Sequence, residues 1–77
     1  MVPVKSREPV SGDIVVSPFP GGCLIGRLRT QPHRADAWEL LKVESDIDTA
    51  IAFAHEFALH GRGHAWVCEG FGKIRAI

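Results

Sequence analysis

The alternation of apolar and polar positions predicts a hairpin, a third strand, one amphipathic helix and two further strands. Asp13 to Ser17 (Asp-Ile-Val-Val-Ser) is rich in β-branched residues and predicts a short strand. Pro18-Phe19-Pro20-Gly21-Gly22 follows. Pro-Gly at the two central positions predicts a type II turn, because proline presets φ and glycine accepts φ > 0. Cys23 to Thr30 then predicts a second strand that closes the hairpin. Leu24, Gly26 and Leu28 lie on one of its faces, and Cys23, Ile25, Arg27 and Arg29 on the other. Placing the two leucines in the core turns Ile25, Arg27 and Arg29 outward.

Gln31 to Asp36 is a polar connection interrupted by Pro32, and Ala37 to Glu44 resumes a strand. Its alternation is imperfect: Trp38 and Leu40 share one face, while Leu41 and Val43 share the other. Either both faces are partly covered, or a bulge between Leu40 and Leu41 switches the phase. The helix has the clearest signature. Ser45 or Asp46 can cap it, and Asp48 stands three residues after Ser45 as in a capping box. Ile47, Ala50, Ile51, Ala54, Phe57 and Ala58 form one stripe at helical spacing. Gly61 supplies the expected left-handed stop, one residue after His60. Ala65 to Glu69 and Lys73 to Ile77 predict two closing strands around a Gly70-Phe71-Gly72 turn.

The order β-β-β-α-β-β implies an α+β fold, a single antiparallel or mixed sheet of about four to five strands with one helix on one face. Residues 1–12, with Pro3, Pro9, Ser11 and Gly12 among mixed charges, read as an N-terminal tail, and 13–77 as one α+β domain.

The second half resembles a family of small uncharacterised bacterial domains of unknown function. The matching residues are Trp38 to Val43, Asp48-Thr49, Ala50-Ile51-Ala54, Trp66-Val67 and Gly72-Lys73-Ile74. The chain departs from that pattern in its additional N-terminal hairpin and its few basic helix residues. The resemblance implies a compact α+β fold and carries over no catalytic residue.

Composition narrows the function. Nine basic and nine acidic side chains cancel among 77 residues, and 45% of the chain is hydrophobic. A balanced chain lacks the phosphate-neutralising excess on which nucleic-acid affinity rests. Two cysteines, Cys23 and Cys68, are too few for a disulfide framework. The first residues carry charges and prolines where a signal peptide has an apolar run, and no segment is apolar enough to span a membrane. These features give the expectation of a cytoplasmic protein.

No reactive constellation stands out. His33, His55, His60 and His64 suggest a metal site, yet zinc needs three or four ligands and Cys68 is the only nearby thiol. Cys68 and His64, even-spaced on one strand, lie too far apart for a nucleophile and its base. Gly70-Phe71-Gly72-Lys73 lacks the spacing of a phosphate loop and leads into a strand. The expectation is a non-enzymatic module without catalytic residues, cofactor or metal. It would bind through the sheet face away from the helix, using Ile25, Arg27, Arg29 and Trp66. A homodimer or a protein partner is favoured; nucleic acid read by Arg and Trp side chains is the alternative.

Overall fold

The computed structural model describes residues 9–29, 37–70 and 73–77. They form an α+β unit of five strands and one helix: β1 (Ile14–Phe19), β2 (Gly22–Leu28), β3 (Trp38–Glu44), α1 (Ile47–Gly61), β4 (Ala65–Gly70) and β5 (Lys73–Ala76). The spatial order is β3-β2-β1-β4-β5. β1 pairs parallel with β4, and all other neighbours are antiparallel, so the sheet is mixed. Parallel neighbours need a long crossover. The connection running from β3 through α1 to β4 supplies it, carrying the chain over β2 and β1 and leaving the helix on one face.

Helix formation follows from its ends and its stripe. Asp46 is the N-cap, its carboxylate accepting from the Thr49 amide at 2.9 Å and the Thr49 hydroxyl at 3.1 Å. These hydrogen bonds, the backbone one first, hold the exposed Asp46 carboxyl below the usual aspartate value of 3.8. The left-handed stop falls on Arg62 (φ 59°, ψ 28°) instead of Gly61, which is the last helical residue. Ala50, Ala54 and Ala58 are buried against the sheet, where their small side chains allow close approach. Phe53 and Phe57 flank them with stacked rings 6.1 Å apart, so the apolar face is wider than the stripe from Ile47 to Ala58. Lys42 of β3 sits 4.9 Å from the Phe53 ring centre.

The core between helix and sheet consists of Ile14, Val16, Cys23, Ile25, Ala50, Ala54, Ala58, Ala65 and Val67. Leu41, Phe53, Phe57 and Ile77 pack around it. β3 is bulged: Ile25 pairs with Lys42 and Gly26 with Leu40, so Leu41 is the additional residue. Of the two alternatives for this strand, the phase switch is the one adopted. It returns Val43 to the face of Trp38 and Leu40.

The first hairpin closes through Pro20 and Gly21, with Phe19 opposite Gly22. The positive φ expected at Gly21 falls instead on Gly22, at 151°. A Cβ at Gly22 would lie 2.5 Å from the Glu44 carbonyl oxygen, so a close approach of β3 also demands glycine there. Of the segment read as a tail, the described part is tied down. The Gly12 amide donates to the Leu28 carbonyl at 2.7 Å, and the Ser11 hydroxyl to the Arg29 carbonyl at 3.1 Å.

Candidate binding face

Strand alternation sorts the side chains onto two faces of different chemistry. Every charged strand residue lies on the helix side or around its margin. Arg27 meets Glu39 at 3.6 Å, Lys42 meets Glu44 at 3.3 Å, and Arg75 donates to Glu69 at 2.8 Å. Among the described residues, no helix covers the opposite face. It carries Val15 and Ser17 from β1; Leu24, Gly26 and Leu28 from β2; Trp38, Leu40 and Val43 from β3; Trp66 and Cys68 from β4; and Ile74 from β5. Among the described residues, no charged side chain is exposed on this face.

The relief of the open face is uneven. Val15, Leu28 and Trp66 are buried, whereas Leu40 is 60% exposed and Val43 51%. Leu24, Trp38 and Ile74 are also exposed. Small residues occupy the middle and large ones the flanks, which leaves a groove of about 390 Å³ lined by Val15, Ser17, Leu24, Gly26, Trp38, Glu39, Leu40, Cys68 and Ile74. Gly26 forms its floor beside the Trp38 ring, which an added Cβ would meet at 3.7 Å. Glu39 borders the groove but turns its carboxylate towards Arg27.

One end of this face is organised by Asp13, which is 2% exposed. Its carboxylate accepts from the Val10 amide at 3.0 Å, the His64 amide at 3.0 Å and the Trp66 indole at 2.9 Å. Three N–H donors satisfy a carboxylate without a counter-ion. The group ties the chain before β1 to β4 and locks the Trp66 ring. The Asp13 backbone extends this link, accepting from the Leu28 amide at 2.9 Å. Gly63 belongs to the same junction, because a Cβ there would collide with the Gly12 carbonyl.

The four residues expected to bind are not brought together. Ile25 is fully buried beneath the helix, not outward. Arg27 therefore points to the helix side as well, where it meets Glu39. Arg29 follows the end of β2 and is exposed, its amide donating to the Ala37 carbonyl at 2.6 Å. Trp66 does lie on the open face, but it is buried with its indole committed to Asp13. The error is one of phase. β2 is apolar on both faces, and Cys23 with Ile25, rather than Leu24 with Leu28, faces the helix. Leu24, Trp38, Leu40, Val43 and Ile74 are the exposed residues that the sequence reading did not assign to this surface.

Chemistry-bearing residues are dispersed. His60 sits in the last helical turn, His64 is exposed before β4, and Cys68 is half-buried on the open face. Among the described residues, no group of three or more His, Cys, Asp or Glu side chains is placed to hold a metal ion; His33 lies outside them. No described helix is long and apolar enough to cross a membrane. Comparisons with family models, curated proteins and solved structures found no match for this chain.

Proposed function

We propose that the protein is a small binding module, not a catalyst, and that it works through the open sheet face. The observation that carries this reading is the distribution of charge: among the described residues, the face left without a helix is the one without exposed charge. A large apolar patch that persists on a small domain marks an interaction surface. Ser17 and Cys68 are the hydroxyl and thiol of the groove, and among the described residues the one acid that borders it, Glu39, is turned to Arg27 and not to either of them. Nucleic acid is the weaker reading, because among the described residues the face presents no cation for phosphate. The free thiols of Cys23 and Cys68, on opposite sides of the sheet, suit a reduced, cytoplasmic setting.

The test compares two exposed leucines. Leu40→Lys charges the open face, and Leu59→Lys charges the outer helix surface, where the native side chain is 78% exposed. Leu40→Lys is expected to lower self-association, uptake of an anilinonaphthalene dye, or both, and Leu59→Lys to change neither. Indistinguishable behaviour of the two variants in both assays would contradict the reading.

A further inference from the structure

We infer that the occupant of the open face is a second copy of this chain, stacked face to face so that the two helices lie outside a two-sheet sandwich. This rests on the reading of the open face as the binding surface and adds its partner and geometry. Three observations select the second copy.

The first is shape. The ridge of Trp38, Leu40 and Val43 on β3 and the groove floored by Gly26, Val15 and Ser17 lie side by side on the same face. An isologous contact requires a patch to fit itself. A two-fold axis in the interface, parallel to the strands and passing over β2, places each ridge opposite the other copy's groove. The ridge of one copy then lies over β1 of the other, with Leu40 above Val15 and Val43 above Ser17.

The second is area. With that axis β1, β2 and β3 of each copy overlap, and three strands at about 4.8 Å spacing with some six residues of roughly 3.3 Å give a flat contact of about 300 Å². Side-chain relief enlarges this, but Val15 and Leu28 are already buried and the contact stays below the roughly 800 Å² per partner of a standard interface, the size of a weak pair that forms at high concentration.

The third is charge. The chain is formally neutral, with nine basic and nine acidic side chains, and the face itself presents no exposed charge among the described residues. Two copies therefore meet without repulsion. Pairing by sheet edges is disfavoured by the edge strands themselves. β3 is bulged at Leu41 and carries Lys42 and Glu44, while β5 has only four residues, including Lys73 and Arg75.

The experiment measures mass by light scattering at high protein concentration, in low and in high salt. It also records isotope-filtered NOEs from a sample mixing labelled and unlabelled full-length chains. The expected result is a two-chain mass that survives high salt, with filtered NOEs between Leu40 methyls of one copy and Val15 methyls of the other. Leu40→Lys is expected to weaken the dimer about tenfold or more by burying an unpaired ammonium. Gly26→Ala adds one methyl to the groove floor without steric conflict, and is expected to weaken the dimer several-fold while the fold persists. A single-chain mass at high concentration overturns the inference, as do a two-chain mass with filtered NOEs only elsewhere and intrachain NOEs from Val2 or Val4 to Leu40. With a single-chain mass, loss of dye uptake in Leu40→Lys would leave the open face as the binding surface. Dye uptake equal in Leu40→Lys and Leu59→Lys would remove that reading too.

Discussion

The two faces of this sheet are built from similar numbers of apolar residues but treat them differently. On the helix side, Ile14, Val16, Ile25 and Val67 are enclosed by three alanines and two phenylalanines, and the uncovered margins carry paired charges. On the open side, Leu24, Trp38, Leu40, Val43 and Ile74 face outward with no charge among them. A monomer selected only for solubility would place Arg27, Glu39 and Lys42 on the open side. Charge here lines the exposed margins of the helix side instead. On the proposed reading the difference separates two physical tasks: the helix face supplies folding energy, and the open face is left for association.

Mutation can break this division at graded strength. The largest effect is expected from Ile25→Ala, which empties a fully buried site and lowers unfolding free energy by about 3–4 kcal/mol. The matching truncation on the other face, Leu40→Ala, is expected to change the stability of the single chain by less than about 1 kcal/mol. Denaturant titration of both variants checks the pair, and equal losses would erase the distinction between the faces. Asp13→Ala comes next. It strands the buried Trp66 indole N–H and two partly buried amides, which lowers stability by about 2–3 kcal/mol. It also frees the ring, so Trp66 gains accessibility to acrylamide.

Two smaller effects concern only the helix and should leave association untouched. Arg62→Gly relieves a left-handed residue and is expected to raise stability by about 1 kcal/mol. Asp46→Ala removes the N-cap and should lower Tm by a few degrees at neutral pH. Because the folded pKa of Asp46 lies below 3.8, its contribution is present above that value and disappears as pH falls through the folded one. Thermal melts of wild type and Asp46→Ala should therefore converge in acid. A gap in Tm that stays constant down to low pH would show that the charged cap is not the cause.

Local signals were legible where one residue type has one solution. The acidic cap and the alanine seam lead from chemistry to conformation, and Pro20-Gly21 marks where the hairpin reverses though the positive φ lies one residue later, at Gly22; the order of strands and helix follows from these signals. Long-range features were not. Nothing in β1 or β4 states that they pair in parallel, because that contact depends on where the helix delivers the chain. The phase of β2 was unreadable for a different reason: Cys23, Leu24, Ile25 and Leu28 make both faces apolar, so alternation alone does not choose between them. β3 held the missing information. Its bulge puts Trp38, Leu40 and Val43 on one face, opposite Leu28, Gly26 and Leu24, which identifies that side as the apolar open one. Asp13 was hidden because it reads as an ordinary strand flank, while its three donors come from positions three, 51 and 53 residues away in sequence.

The most direct test of the division is the mass of wild type and of Leu40→Lys, measured by light scattering at the same high concentration. The account predicts two chains for the wild type and one for the variant. Equal masses would contradict it.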